Sequence, residues 1–357
     1  MSPKIPRAEL RRTLRERAVD GPPLLVAGAP GAGKSTLLAL VAEDLRAKGE
    51  SPVHLHLLLA ASSPEGLVRS FADALPASCL GAGHPAALTL RVRAESPADR
   101  EGAFGALLRV LAELDSCGES RVVLLLDEPT EIQSLSTFTG LRDVTDRLGA
   151  ALARRRCGAI LTTSFPTRAA AFWSGEVLKL PLLSPGELQP LAGAAADALA
   201  RASGGLPRYA VPLLERVQQG WGVSEAWAAE MADGGRLDQL CRQVYETLLL
   251  RSRGYGMSKA VLAAVARDEG CNLTAVTRHL GRSPGAVGDY LGWLRDVDAL
   301  RCERKRYFFV DPVLKDWLRL RDGGVSPDGA ALREAAVARV GAETTRATRD
   351  DALMEID

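Results

Sequence analysis

Cysteine is scarce and scattered in this 357-residue chain, and Cys79, Cys117, Cys157, Cys241, Cys271 and Cys302 include no C-x-x-C pair. That spacing excludes a zinc knuckle and offers no disulfide framework, so the six read as reduced packing residues. An excess of one charge is also missing, because 45 Lys and Arg stand against 44 Asp and Glu for a net charge of +1. Any basic patch therefore has to be local. Long apolar runs are lacking too. The aliphatic run Val122 to Leu126 falls far below the ~20 residues that a membrane-spanning helix requires. The first residues, MSPKIPRAELRRTLRER, carry charge throughout, so neither export nor membrane attachment is expected and a cytoplasmic location is.

The length suits two or three domains, and the patterning divides the chain accordingly. Leu24 to Ala27 is a short apolar run that leads through a glycine-rich loop into Ser35 to Lys48, where Leu38, Val41 and Leu45 recur at helical spacing. Gly49 closes that helix, and Val53 to Leu59 reads as a second strand. Ser96-Pro97 opens a helix running to about Leu114, and RVVLLLDE follows as a strand apolar enough to be covered on both faces. A helix near Leu141 to Arg155, a strand over Ala159 to Thr163 and a fifth strand over Val177 to Leu182 complete the pattern. Five strands alternating with helices predict an α/β fold with a doubly wound parallel sheet.

The character changes at Ser184-Pro-Gly-Glu187, where an N-cap, a proline at the first helical position and a capping-box glutamate open a series of helices to Leu250. Helices over Met257 to Asp268, Leu273 to Leu280 and Pro284 to Val297, then a hairpin over Arg301 to Val310, have the order of a winged helix-turn-helix. The expected domains are thus a P-loop domain over 1–183, an all-helical lid over 184–235, a C-terminal winged helix-turn-helix domain over 236–321, and a linker and tail over 322–357.

Gly28-Ala29-Pro30-Gly31-Ala32-Gly33-Lys34-Ser35 satisfies G-x-x-x-x-G-K-[ST] between a strand and a helix, the context in which backbone amides cradle phosphates. Lys34 is suited to neutralise the β- and γ-phosphates of ATP, Ser35 to ligate Mg²⁺, and Thr36 to hold the α-phosphate. At the end of the RVVLLL strand, Asp127 is placed to hold the magnesium and Glu128 to polarise the attacking water. Thr163, with Thr162 and Ser164, ends the neighbouring strand and offers a hydroxyl to the same water. Arg208, in Gly204-Gly-Leu-Pro-Arg208, is suited to report the γ-phosphate, unless it is a solvated arginine in a helix-linking turn. His54 and His56 share a strand face with no third metal ligand apparent, so they read as a polar face rather than a metal site.

Residues 251–321 hold 14 Lys and Arg against 8 Asp and Glu. Arg278 and Arg282 flank the helix-helix turn, while Arg304, Lys305 and Arg306 occupy the wing, where phosphate or minor-groove contacts are natural. The recognition helix offers Ser283, Gly285, Gly288, Asp289 and Gly292, which are poor base readers. Duplex DNA and a protein partner both stay open as its target.

Taken in order, PRAELRRTL, GAPGAGKST, VVLLLDE, ILTTS, LKLPLLSPGEL, SGGLPRY and RYFFVDPVLKDWLRL resemble the AAA+ ATPases of the archaeal-type/STAND branch, relatives of origin-recognition initiators. The resemblance spans roughly residues 5 to 320 and implies a switch that binds and hydrolyses ATP, with a nucleotide held by sheet domain and lid. It implies Lys34, Ser35, Asp127, Glu128, a hydroxyl near Thr163 and Arg208 as the working parts. A nucleotide-dependent homo-oligomer is a further expectation, with Arg168 as the residue offered to a neighbour. The two functional expectations are an ATPase switch that engages DNA and a signalling or defence ATPase that docks a protein.

Overall fold

The computed structural model describes residues 5–75, 100–114, 116–117, 120–155 and 158–341. The predicted helix start at Ser96, Cys79, Cys157 and the tail beyond 341 lie outside them. Two compact units form, one of Pro6–Gly28 with the described part of Lys34–Leu180, the other of Ile5, Ala29–Gly33 and the described residues from Pro181 on.

In the first unit, helix α1 (Ala8–Asp20) precedes strand β1 (Leu24–Ala27), helix α2 (Lys34–Ala47) and strand β2 (Ser51–His56). Helical turn α3 (Leu57–Ala60), α4 (Pro64–Ala74) and α5 (Arg100–Glu113) follow, then a two-residue strand β3 (Ser116–Cys117) and β4 (Ser120–Asp127). A 3-10 stretch (Pro129–Thr137), α6 (Val144–Ala153), β5 (Ala159–Thr163), α7 (Pro166–Ala169) and β6 (Glu176–Lys179) complete it. The five longer strands form one parallel sheet in the order β2-β4-β5-β1-β6, and β3 adds an antiparallel pairing at the start of β4.

Alternation along β4 explains why it is apolar throughout. Val122, Leu124 and Leu126 join a core with Leu67 and Phe71 of α4, Phe104 and Leu107 of α5 and Leu148 of α6. Val123 and Leu125 point to the opposite face, are equally buried, and belong to the side where α2 meets β4 and β5. A strand covered on both faces has no polar side to show.

Two strand limits differ from those read in the sequence. The second strand stops at His56 rather than Leu59, because Leu57 and Ala60 bury one face at a spacing of three while Leu58 and Leu59 lie exposed, which is a helical turn. The fifth ends at Lys179 rather than Leu182. The Leu180 amide still donates to Ala27 (2.7 Å), but Pro181 brings no further donor to the ladder.

The second unit is helical: α8 (Pro185–Ala192), α9 (Ala196–Ser203), α10 (Pro207–Gln218), α11 (Val223–Met231) and α12 (Arg236–Arg251). The capping box at its start is present, with the Ser184 amide donating to Glu187 Oε2 at 2.9 Å. Next come α13 (Tyr255–Arg267), α14 (Leu273–Leu280), α15 (Pro284–Asp296), an antiparallel hairpin of β7 (Leu300–Glu303) and β8 (Arg306–Phe309), and α16 (Pro312–Leu320). Within the segment read as linker and tail, the one helix that the sequence allows over Ala330 to Val340 is present. Helix α17 (Gly329–Gly341) packs on α11 and α9, and Arg339 donates to the Arg201 carbonyl at 3.0 Å while pairing with Asp316 at 3.3 Å.

Asp238 holds α12 and α16 together. Only 1% exposed, it accepts from Trp317 Nε1 at 2.7 Å and from the Gly234 amide at 3.0 Å, and pairs with Arg321 at 2.9 Å. Burial pushes its carboxyl up, but these donors and the Arg321 and Arg242 guanidiniums outweigh it, and the group titrates below its ordinary value of 3.8. A lowered folded value stabilises the protein above the ordinary value, and the contribution is lost as the pH falls through the folded one. Asp238→Asn is expected to cost about 2 kcal/mol at neutral pH, as for hydrogen bonds to a charged group. Denaturant unfolding should show this penalty shrinking below pH 3.8.

Candidate active site

The strand ends β2, β4 and β5 of the first unit converge on one carboxylate. Their parallel register sets His56 opposite Asp127, and Asp127 opposite Thr162. Asp127 is 1% exposed, and its Oδ1 accepts the Thr162 hydroxyl proton while His56 Nε2 lies 3.6 Å from Oδ2. A buried carboxylate needs such partners, since an unsatisfied one loses its hydration without return.

Glu128 follows in the left-handed region (φ 54, ψ 57), its amide bonded to the Thr162 carbonyl at 2.9 Å. The backbone therefore turns as the strand ends, and the side chain swings towards β5. There Oε2 accepts from the Ser164 amide at 3.0 Å and from the Thr163 hydroxyl at 3.5 Å. Burial pushes the Glu128 carboxyl above its ordinary value; the Lys34 charge and the Ser164 hydrogen bond oppose the rise, and Asp127 adds to it. Thr163 in turn accepts from the Phe165 amide at 3.1 Å, which fixes its hydroxyl.

Lys34 opens α2, is 5% exposed, and donates from Nζ to the Gly28 carbonyl at 2.9 Å. Ser35 and Thr36 are exposed on the first turn, which contains no acidic residue. A helix N-terminus with a lysine, two hydroxyls and no carboxylate suits an anion. The donor set fits Mg-ATP: amides and Lys34 for phosphates, with the Ser35 hydroxyl and the Asp127 carboxylate as hard oxygens for a divalent cation.

The remaining loop residues, Ala29, Pro30, Gly31, Ala32 and Gly33, group with the second unit, where Arg208 meets them. The Arg208 amide donates to the Gly31 carbonyl at 3.1 Å. Gly31 has φ +83, and a Cβ there would come within 2.7 Å of the Arg208 Cβ, so glycine is required on both counts. Pro207 lies beside Gly33, at 3.4 Å from a Cβ built there.

Sequence reasoning grouped Thr162 with the water-orienting hydroxyls and read His56 as a polar strand face. The structure puts both on Asp127 instead. The signal lay in strand order, which the sequence does not state: once β2 and β5 flank β4, the residues level with Asp127 follow. Arg168 stacks its guanidinium 5.9 Å from the Phe165 ring of its own unit. Among the described residues no cluster of three His, Cys, Asp or Glu is arranged to hold a metal ion, and no helix is long and apolar enough to cross a membrane.

On the C-terminal segment, Arg278, Arg282, Arg304, Lys305 and Arg306 are all exposed. Arg304 and Lys305 form the two-residue turn of the β7–β8 hairpin with φ 49 and 64. Arg306 is partly committed elsewhere, donating to the Gly270 carbonyl at 2.8 Å.

Comparison with known proteins agrees with this geometry. Residues 6–156 match the AAA ATPase domain family. No curated protein sequence matches the chain. Among solved structures, a Walker-type ATPase of Pyrococcus abyssi is similar over 88% of this chain and 95% of its own, at 17% identity and a TM-score of 0.66. RuvB of Thermotoga maritima (18% identity, TM-score 0.36, 86% and 91% covered) and AMPPCP-bound DnaA of Aquifex aeolicus (14%, 0.37, 81% and 87%) overlay too loosely to bear on the fold. The match over residues 6–156 and the shared fold support an α/β P-loop ATPase.

Thr162→Val removes the hydroxyl that satisfies Asp127 while keeping the shape of the side chain. The Mg²⁺ concentration for half-maximal hydrolysis is expected to rise by about tenfold, the equivalent of one charge-assisted hydrogen bond. A magnesium titration at saturating ATP, with a thermal melt to confirm folding, checks it.

Proposed function

We propose that this ATPase is a molecular switch of the archaeal-type/STAND branch, related to origin-recognition initiators, whose nucleotide state governs how a C-terminal winged helix engages duplex DNA. Four parts follow the sequence reading: the ATPase domain over 1–183, a helical lid over 184–235, the winged helix over 236–321, and the remainder to 357 as linker and tail.

In this reading the amides of Gly28 to Gly33 cradle the phosphates, Lys34 neutralises the β and γ charges, and Thr36 holds the α-phosphate. Ser35 and Asp127 would hold Mg²⁺, which when bound would offset negative charge on the phosphate oxygens. Glu128 accepts a proton from the attacking water at its carboxylate. Its buried position makes it a stronger base than a solvated glutamate, and Thr163, already bonded to it, orients the same water. Arg208, lying on the loop at Gly31, senses the γ-phosphate.

The observation favouring DNA is the hairpin turn. Two-residue hairpin turns favour Asn-Gly, because both positions have positive φ. Arg304 and Lys305 occupy them at φ 49 and 64, both exposed, so two cations stand at the tip at a conformational cost. With Arg278 and Arg282 they suit phosphate contacts. A protein-docking signalling or defence ATPase is the second reading, and the face of α15 favours it. Gly285, Asp289 and Gly292 are exposed there, with open space around both glycines and few donors for base edges. Nucleotide-dependent self-association belongs to either reading, and light scattering with and without ATP measures it.

Glu128→Gln is expected to retain ATP binding and to lower hydrolysis by about 10³-fold, the usual contribution of a positioned base. Fluorescence anisotropy of labelled duplex with this variant should show binding with ATP, weaker binding with ADP, and steep loss with salt. Changing Arg304 and Lys305 to Ala should abolish it. Absence of duplex binding in every nucleotide state, at confirmed ATP occupancy, would transfer the assignment to a protein partner.

A further inference from the structure

Two stretches that stand far apart in the sequence, SGGLPRY (203–209) and VDPVLKDW (310–317), meet in the second unit. Gly204 adopts φ +60 against Pro312, where an added Cβ would come within 2.8 Å of the ring. Tyr209 is fully buried and donates its hydroxyl to Asp311 Oδ2 at 2.7 Å. The other oxygen of Asp311 accepts the amides of Val313 (2.9 Å) and Leu314 (3.0 Å), so Asp311 is the N-cap of α16.

The same turn of α10 faces the phosphate loop through its other neighbour. The N-cap position, Leu206, has no side-chain cap and Pro207 has no N–H. Arg208 therefore supplies the first amide of the helix, and the Gly31 carbonyl accepts it at 3.1 Å. The phosphate loop in effect caps α10, and one residue later a buried phenol ties that turn to Asp311. Burial pushes the Asp311 carboxyl up, against the bonds from Leu314, Tyr209 and Val313 and the charge of Arg208; burial and the Asp311 charge push the Tyr209 phenol well up, so it stays a donor.

We propose that Tyr209 and Asp311 are positioning residues for ATP turnover, fixing the first turn of α10 and with it the placement of Arg208 against Gly31. The inference rests on the γ-phosphate role given to Arg208 above and extends it: a residue next to the C-terminal hairpin takes part in reading the nucleotide. Gly204 and Pro312 bring the two stretches into register, and the Tyr209–Asp311 bond makes the connection directional.

The test compares Arg208→Ala, Tyr209→Phe, Asp311→Asn and the double variant Arg208→Ala/Tyr209→Phe in the full chain. The readouts are kcat, KM and the ratio of affinities for fluorescent ATP and ADP. Tyr209→Phe removes one oxygen, and Asp311→Asn keeps an oxygen to cap α16, so each is expected to fold, as a thermal melt will show. Tyr245→Phe, which removes a half-buried phenol whose ring is tilted against Trp317, serves as the control for loss of a hydroxyl in this unit and should leave kcat unchanged.

Arg208→Ala, Tyr209→Phe and Asp311→Asn are each expected to lower kcat and the ATP/ADP affinity ratio by about tenfold with ADP affinity unchanged, as for loss of one hydrogen bond to a charged group. The double variant should be no worse than Arg208→Ala alone. A normal ratio and kcat in Tyr209→Phe and Asp311→Asn, with Arg208→Ala impaired, would overturn the inference and leave the role of Arg208 intact. An unimpaired Arg208→Ala would remove that role and the inference with it, while leaving the hydrolysis assigned to Glu128 untouched. Should Tyr209→Phe or Asp311→Asn weaken ATP and ADP equally, the bond would be a packing tie only, which also overturns the proposal.

Discussion

Complete burial of the Val122–Leu126 strand is the constraint from which the ATPase unit follows. Every one of these side chains is excluded from solvent, which is possible only where neighbours flank the strand in the sheet and helices cover both faces. Such a strand can change to polar residues only at its end, and it does so at Asp127 and Glu128. Asp127 is still level with β2 and β5 and must be satisfied by them, which the Thr162 hydroxyl and the nearby His56 accomplish. Glu128 has passed the ladder and turns into the left-handed region, where it is held by the Ser164 amide. The two adjacent acids thus receive different environments from a single change of backbone direction.

The helical unit solves the problem of buried acids in two other ways. Asp238 is surrounded by an indole N–H, an amide and two guanidiniums, enough to keep it ionised below the usual carboxylate range despite its burial. Asp311 has amides and a phenol but no guanidinium in direct contact, and its carboxyl titrates above that range. The first arrangement is an ion pair that fastens α12 to α16. The second is a cap held by hydrogen bonds, and its phenol donor, Tyr209, stands one residue from an arginine that touches the phosphate loop.

Much of this was legible in the sequence. The loop motif, the strands over Leu24–Ala27 and Ala159–Thr163 and the Ser184 capping box are all local patterns, in which each residue's role depends on neighbours a few positions away. The end of β2 was not, because LHLLLA carries an apolar pattern that fits a strand or a turn of helix equally, and only packing of Leu57 and Ala60 decided between them. The order of helix and hairpin near the C-terminus could be read, while the docking of this last segment could not, because DGGVSPDG has linker composition and the anchors of Ser326 and Arg339, Asp233 and Arg201, lie 93 and 138 positions away.

The sequence by itself determined the chemistry available: a lysine and two hydroxyls at a helix start, two acids at a strand end and an arginine after Gly-Gly-Leu-Pro. Tertiary structure decided which of these groups touch. Strand order alone brought Thr162 and His56 to Asp127, and only the fold of the helical unit brought Tyr209 to Asp311, the N-cap of α16. The physical reason is range: periodicity and capping act over a few residues, whereas a hydrogen bond between side chains 102 positions apart exists only once the chain between them has been folded.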